Sequence, residues 1–219
     1  MSKVVLGFSG GVDSAVSAVL LQKAGHEVHG VYLDNAEESA RLDAVSAAER
    51  MGIALTVIDV KRELEENVCR PFTEAYLRGE TPNPCIICNP SVKFRTLIAV
   101  ADRIDAELVA TGHYARIEEQ DGKFVLKKAL DPAKDQSYVL YTMTQEQLAH
   151  TLFPLGGYSK PEARKLAEDG GLVNAEKPDS QDICFAPDGD YAAAIERYTG
   201  KKPQPGNFVD ADGNVLGQH

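Results

Sequence analysis

Three cysteines stand in patterns that could carry chemistry. Cys85 and Cys88 form a Cys-x-x-Cys pair within Thr81-Pro82-Asn83-Pro84-Cys85-Ile86-Ile87-Cys88-Asn89, and Cys184 ends Asp179-Ser180-Gln181-Asp182-Ile183-Cys184. Thiolates serve as nucleophiles and as metal ligands, so either use fits these residues. The prolines predict an extended loop that presents the first two thiols rigidly. Cys69 has no supporting pattern, and we interpret it as a small core residue.

The alternative to a catalytic role for Cys85 and Cys88 is that they form half of a zinc site. No second Cys-x-x-Cys or His pair completes such a site in this sequence. The start of the chain, Met1-Ser2-Lys3 followed by a short apolar run, lacks the length and cleavage pattern of a signal peptide. We therefore predict a cytoplasmic protein with reduced thiols, whose 4 cysteines serve chemistry or metal binding instead of a disulfide framework.

A glycine-rich loop, Ser9-Gly10-Gly11-Val12-Asp13-Ser14, lies between a predicted strand at residues 4–8 and a helix that begins near Val12. The glycines let backbone N–H groups turn toward an anion, and the helix N-terminus adds its dipole. Ser9 and Ser14 provide hydroxyl donors, and Asp13 could hold Mg²⁺. A capped glycine turn is the alternative, but the full pattern after a strand favours phosphate binding. The loop lacks the lysine of a Walker motif and is typical of enzymes that adenylate a substrate and release pyrophosphate.

Short apolar runs alternate with helical patterns through the first half of the chain. Strands are predicted at residues 4–8, 28–33, 53–59 and 108–111, with helices from 12, at 39–51 and at 92–104. This alternation predicts an α/β fold with a doubly wound, Rossmann-like parallel sheet of the ATP pyrophosphatase type.

The pattern changes after about residue 114. A hairpin is predicted at residues 114–129, and short helices at 145–150, 161–169 and 191–198 indicate a small helical second domain. A linker at 202–206 precedes a single hairpin at 208–216, and an isolated hairpin is marginal in water. We expect a catalytic domain at residues 1–146, a helical domain at 147–202 and the start of an incomplete β domain at 203–219.

The formal net charge of -10 gives no basic footprint for a nucleic-acid partner. Local basic clusters exist, and taken alone each is interpreted as a solvated face. They are Lys123, Lys127 and Lys128; Lys160, Arg164 and Lys165; and Lys201 and Lys202.

Several long motifs in order make the chain resemble the bacterial tRNA-specific 2-thiouridylases. Besides the glycine-rich loop and the Cys-x-x-Cys segment, they are Lys93-Phe94, Ala110-Thr111-Gly112-His113-Tyr114-Ala115-Arg116, Lys134-Asp135-Gln136-Ser137-Tyr138, Phe153-Pro154-Leu155-Gly156 and the segment from Asp179 to Phe185. The resemblance runs through most of the chain.

The resemblance implies that ATP adenylates C2–O of the wobble uridine and that a cysteine persulfide then delivers sulfur. By matching position, Cys88 is the nucleophile and Cys184 is the persulfide cysteine, in an electropositive setting that favours low thiol pKa values. The implied ATP contacts are Gly7, Phe8, Ser9, Gly10, Gly11, Val12, Asp13, Ser14, Leu33 and Gly112. The implied contacts to tRNA or its target base are Asn83, Pro84, Cys85, His113, Lys134, Asp135 and Gln136. The resemblance implies two partners, tRNA and a sulfur-donor protein, which is either a cysteine desulfurase or a sulfur-relay protein. It implies no association with a membrane.

The sequence departs from the family pattern at two places. Many members have an acidic residue where this chain has Cys85. Together with Cys88 and Cys184, Cys85 could ligate an iron–sulfur cluster, which is the alternative to the persulfide route. The family also continues into a β-barrel beyond His219. Two other functions remain open: an amide ligase that shares the phosphate loop but has no need for the three thiols, and a non-catalytic nucleotide- or metal-binding module.

Overall fold

The fold was obtained as a computed structural model, which describes residues 2–35, 37–172, 183–186, 189–202 and 204–218. Its centre is a parallel five-stranded sheet in the order β3-β2-β1-β4-β7. These strands are β1 (Lys3–Gly7), β2 (Glu27–Asp34), β3 (Ala54–Asp59), β4 (Leu108–Ala110) and β7 (Thr151–Leu152). Two hairpins stand apart from it, β5 (Ala115–Gln120) with β6 (Lys123–Lys128), and β8 (Asn207–Val209) with β9 (Val215–Gln218).

The helices of the described residues connect and cover the sheet. They are α1 (Val12–Lys23), α2 (Glu38–Arg50), α3 (Lys61–Leu64), α4 (Arg70–Leu77), α5 (Pro84–Cys88), α6 (Arg95–Arg103), α7 (Gln145–Ala149), α8 (Lys160–Asp169) and α9 (Tyr191–Thr199). Two π-helical segments, Glu65–Cys69 and Asn89–Phe94, join α3 to α4 and α5 to α6, and Ser137–Val139 forms a 3₁₀ turn.

Apolar residues of β1 alternate between the two faces of the sheet, and this explains the two helical layers. Val4 and Leu6 pack with alanines of α1 and α2 on one face, whereas Val5 packs with Leu97 and Val100 of α6 on the other. A strand buried on both faces is apolar throughout, as in other doubly wound sheets. The predicted α/β fold class is thereby confirmed, along with most of its strands and helices.

The direction of winding reverses between β1 and β4, because β2 and β3 lie on one side of β1 while β4 and β7 lie on the other. In open parallel sheets, ligands bind at the carboxyl ends of the strands beside such a reversal. The loop after β1 and the residues 111–114 after β4 meet at this position.

Elements beyond residue 146 share the core of the sheet. β7 pairs with β4, and Ala163 and Ala167 of α8 pack against Val12 and Val16 of α1. Sequence patterns missed β7, which has only 2 residues. The division at residue 147 stays a prediction, as does the β domain, of which the expected hairpin is present at β8 and β9.

The expectation that residues 81–89 form an extended loop is wrong. Asn83 caps a helix by accepting a hydrogen bond from the backbone N–H of Cys85 at 3.0 Å, and Pro84 is the first helical residue. Proline is well tolerated there because the first N–H of a helix has no intrahelical partner. The prolines therefore begin α5 instead of keeping the chain extended.

Candidate functional site

The glycine-rich loop is held in shape by its own hydrogen bonds. Ser14 Oγ donates to the carbonyl of Gly11 at 3.0 Å and lies 3.2 Å from Ser9 Oγ, which accepts from the N–H of Gly11 at 3.4 Å. Gly11 is the N-cap of α1 and has no side chain with which to cap it. No side chain therefore caps the first N–H groups of α1, which leaves them able to donate to an anion.

Two glycines are required by close approach of neighbouring backbone. Gly10 has φ of 74°, and a Cβ there would lie 2.7 Å from Cα of Ala44 in α2. Gly112, after β4, packs so closely on α1 that a Cβ would lie 3.2–3.3 Å from Asp13 and Ser14. The structure therefore brings Gly112 to the loop, and the contact with ATP that the resemblance implies for it stays a prediction. Phe8 and Val12 are buried in the core, so only their backbone faces the loop.

Asp13 receives two hydrogen bonds from distant parts of the chain. Lys160 Nζ donates to Asp13 Oδ1 at 2.7 Å, and the Tyr114 hydroxyl donates to the same oxygen at 3.0 Å. Lys160 is buried, with its Nζ 5.8 Å from the centre of the Tyr114 ring. The interpretation of Lys160 as part of a solvated basic face is wrong, since its charge is turned inward to the carboxylate.

The two thiols of α5 differ in their surroundings. Cys85 is exposed, whereas Cys88 is half-buried and touches the apolar cluster of Val60, Val68, Cys69, Phe72 and Phe185. The π-helical segment that follows Cys88 carries Lys93 and Phe94 toward His113. α5 is thus fixed between the sheet and this apolar cluster.

Cys184 is brought to the same place by the residues on either side of it. Phe185 inserts edge-on against Phe72, with ring centres 5.2 Å apart, and against Tyr198 of α9 at 6.0 Å. Ile183 packs on the same cluster as Cys88. Cys184 lies close enough to Cys85 and Cys88 for their charges to interact. Cys184 is therefore brought near the two thiols of α5 and near Lys93, although it lies far from them in sequence. The preceding residues of its motif, 179–182, lie outside the described residues.

The expected low thiol pKa values are wrong for this arrangement. Burial raises the pKa of Cys88 to about 11, and the charge of Lys93 opposes this only in part. Burial likewise raises the pKa of Cys184, with a further rise from Cys85, although its exposed surface lets water limit the effect. Desolvation disfavours the thiolate more strongly than one lysine stabilises it. Neither thiol is pre-ionised at neutral pH.

His113 is a buried neutral imidazole. Its Nδ1 lies 2.7 Å from Thr111 Oγ1, and its ring stacks on Phe94 with centres 6.4 Å apart and meets Phe153 edge-on. Burial lowers its pKa well below the usual 6.5, and Lys93 lowers it further. A neutral imidazole can accept or donate a proton at one nitrogen while Thr111 holds the other.

The segment of Lys134, Asp135 and Gln136 is hydrogen-bonded to Tyr114, which follows β4. Gln136 accepts from the N–H of Tyr114 through its side chain at 3.0 Å, and its own N–H donates to the carbonyl of Tyr114 at 2.8 Å. Asp135 accepts from the N–H of Ala129 and from the Ser137 hydroxyl. Asp135 and Gln136 thus support the loop internally, and Lys134 is half-buried.

Two metal sites were predicted, Mg²⁺ at Asp13 and an iron–sulfur cluster at the three cysteines. The Asp13 carboxylate fits as one Mg²⁺ ligand, since Mg²⁺ at phosphates is held by one or two protein carboxylates. For iron–sulfur ligation, the described residues contain no group of three or more His, Cys, Asp or Glu side chains placed to hold a metal. Cys85, Cys88 and Cys184 are near neighbours, and ligation of a larger iron–sulfur cluster by them stays a prediction.

Side-chain contacts and one charge interaction link the glycine-rich loop to the thiols. Asp13 binds Tyr114, the neighbouring His113 stacks on Phe94, and Lys93 acts on Cys88. Leu33, near the end of β2, is half-buried and packs against two apolar clusters, that of Phe94 and Leu97 and that of Val60 and Phe72. Asn83 and Pro84 begin the helix that carries the first two thiols.

Sequence reasoning did not identify Lys160 or Tyr114 as site residues. For Tyr114, its position next to His113 was a usable signal; for Lys160 the sequence offered none.

Comparison with known proteins places residues 2–188 in the family described as tRNA methyl transferase HUP domain. The tRNA-specific 2-thiouridylase MnmA of Lachnoclostridium phytofermentans is 49% identical over 235 residues, covering 100% of this chain and 66% of that protein. The same-named protein of Geotalea uraniireducens is 47% identical, covering 99% of this chain and 63% of its own length. The chain thus spans slightly less than two thirds of these relatives.

Solved structures share the fold at low sequence identity. A 4-thiouridine synthetase in complex with RNA and ATP superposes with a TM-score of 0.54 at 17% identity, over 92% of this chain and 54% of that one. NMN synthetase from Francisella tularensis gives a TM-score of 0.50 at 21% identity, over 92% and 78%. Within the described residues, no helix is long and apolar enough to cross a membrane.

Proposed function

Because this chain belongs to the tRNA methyl transferase HUP-domain family and is 49% identical to a 2-thiouridylase, we propose that it carries the catalytic centre of a tRNA 2-thiouridylase. The observation that carries the proposal is that Cys88 packs on the same apolar cluster as Ile183 and Phe185, which places Cys184 close enough for its charge to act on Cys88. ATP is the proposed cosubstrate and the wobble uridine of tRNA the proposed substrate, in the cytoplasm.

In the first step, C2–O of the uridine attacks the α-phosphate of ATP and pyrophosphate leaves. The N–H groups at the start of α1 and the hydroxyls of Ser9 and Ser14 bind the phosphates. Bound Mg²⁺ would neutralise phosphate charge, with Asp13 as its protein ligand. The bound ATP in the 4-thiouridine synthetase that shares this fold supports the choice of nucleotide.

In the second step, sulfur replaces the activated oxygen. The outer sulfur of a persulfide on Cys184 attacks C2, and AMP leaves with the oxygen. The Cys88 thiolate then attacks the Cys184 sulfur, which forms a Cys88–Cys184 disulfide and releases 2-thiouridine. A dithiol reductant must supply two electrons to restore the thiols. A cysteine desulfurase or sulfur-relay protein is the proposed source of persulfide sulfur.

Neutral His113 can accept a proton from the uridine at Nε2 while its Nδ1 stays hydrogen-bonded to Thr111. Asn83, Pro84, Cys85 and Lys134 border the same region and are the proposed contacts to the anticodon loop, with Asp135 and Gln136 shaping it.

The test compares single-turnover thiolation of tRNA by the wild-type chain and by Cys85→Ser, Cys88→Ser and Cys184→Ser, with pyrophosphate release measured in parallel. We expect thiolation to be lost in the Cys88 and Cys184 variants and retained in Cys85→Ser, while all three still release pyrophosphate. Iron lost together with activity in all three variants would replace the persulfide route with the cluster. Release of pyrophosphate that does not depend on tRNA would favour an amide ligase.

A further inference from the structure

We propose that Lys160 is a phosphate-binding residue that Asp13 holds in place until nucleotide arrives. This inference rests on the proposed function, since it assumes that a triphosphate binds at the glycine-rich loop. It assigns a role to a residue that the loop motif does not include and that lies 147 positions further along the chain.

The burial of Lys160 needs an explanation. Only 7% of the residue is exposed, and lysine is rarely buried unless its charge is paired. It is also the first residue of α8, where the positive end of the helix dipole disfavours a cation. The start of α8 is already stabilised by a capping box of Ser159 and Glu162. The helix therefore gives no reason for a lysine here, whereas the ion pair with Asp13 does.

The glycine-rich loop has no cation of its own. Its residues, Ser9-Gly10-Gly11-Val12-Asp13-Ser14, contain no lysine or arginine, unlike a Walker loop whose lysine contacts the phosphates. Backbone N–H groups and two hydroxyls leave most of a triphosphate charge to be balanced by other groups. Lys160 Nζ lies 2.7 Å from the loop's Asp13 and supplies a positive charge at this place.

The pairing implies an exchange when nucleotide binds. The Asp13 carboxylate would hold Mg²⁺ that accompanies the triphosphate, and Lys160 would then lose its share of the same oxygen lone pairs. The released ammonium is then adjacent to the phosphates and pairs with them. Tyr114 keeps the lysine close, since its hydroxyl binds the same carboxylate oxygen and its ring lies under Nζ.

Substitution of Lys160 and of a matched lysine on the same helix tests this exchange. Lys160→Met removes the charge but fits a buried position, and Lys160→Gln keeps polarity without charge. Lys165→Met is the control, because that side chain is 74% exposed and pairs with Asp169. Dissociation constants for ATP with Mg²⁺ and for adenosine are measured by calorimetry on full-length chain, after thermal melting has confirmed the fold of each variant.

We expect both Lys160 variants to bind ATP at least about tenfold more weakly, which corresponds to about 1.4 kcal/mol, and to bind adenosine as the wild type does. Lys165→Met should match the wild type for both. Unchanged ATP affinity in the Lys160 variants would overturn the inference, as would an equal loss for ATP and adenosine, which indicates general damage. A wild-type chain that binds ATP but does not thiolate tRNA would contradict only the proposed function. If the wild type did not bind ATP, both the role of Lys160 and the proposed function would be wrong.

Discussion

At the scale of single residues, Cys85 and Cys88 show how far position controls the reactivity of a thiol. They stand three residues apart in α5, yet one is exposed and the other is half-buried against apolar side chains. Burial raises the pKa of Cys88 to about 11, so this thiol is almost wholly protonated at neutral pH. The nucleophile role proposed for it therefore requires a base or a change of surroundings when substrate binds.

Alkylation of the protein by iodoacetamide should reveal this difference. Because the thiolate is the reacting form, we expect Cys88 to react more slowly than the exposed Cys85 at pH 7.5 and to accelerate about tenfold per pH unit until its pKa near 11. Lys93→Met should slow Cys88 further, since the charge of Lys93 lowers its pKa. Peptide mass spectrometry follows each site separately. Equal rates for Cys85 and Cys88 at pH 7.5 would contradict the assigned burial.

At the scale of elements, the sequence contained signals for α5 that were interpreted incorrectly. Asn83 followed by Pro84 is a favoured N-cap and first position of a helix, but the helix has only 5 residues before it continues as a π-helical segment. Apolar spacing shows no regular period across such a junction. The two π-helical segments depend on tertiary packing and could not be predicted from local pattern.

The adjacent pair Gly156 and Gly157 tests how tightly the loop after β7 is packed. A Cβ at Gly156 would lie 1.8 Å from the carbonyl oxygen of Ala115, whereas one at Gly157 would meet nothing within 4 Å. We expect Gly156→Ala to lower the free energy of unfolding by about 1–3 kcal/mol, because the backbone at β5 must shift. Gly157→Ala should change it by less than about 0.5 kcal/mol. Urea denaturation of both variants measures the difference, and equal stabilities would disprove the close contact.

At the scale of the whole molecule, the sequence predicted the strands, helices and loop that position the site better than the burial and charge of the side chains within it. The parallel sheet and the glycine-rich loop followed from apolar runs and glycine placement, since these depend on neighbours in sequence, whereas a place for Gly112 at the site was implied only by the resemblance. The pairing of Lys160 with Asp13 and the docking of Phe185 on Phe72 join residues far apart in sequence, and the raised pKa of Cys88 comes from burial among residues of several elements. Charge and exposure at such positions are set by packing, so local pattern alone assigned Lys160 to a solvated surface.

The fold as a whole must keep the Cys184 segment against α5, and Phe185 is the side chain that anchors it. Phe185 is buried between Phe72 and Tyr198. Phe185→Leu removes both edge-on ring contacts, which are worth about 0.5–1.5 kcal/mol each, so the docked state should become less populated.

We therefore expect Phe185→Leu to form a Cys88–Cys184 disulfide about five- to tenfold more slowly than the wild type in a glutathione redox buffer, as measured by mass spectrometry of trapped samples. Phe208→Leu, at a position 56% exposed on β8, should oxidise at the wild-type rate. An unchanged rate in Phe185→Leu would show that the thiols meet without this anchor. A wild-type protein that links Cys85 to Cys184 instead would mean that the outer thiol of α5 is the partner, because disulfide exchange follows access as well as thiolate fraction.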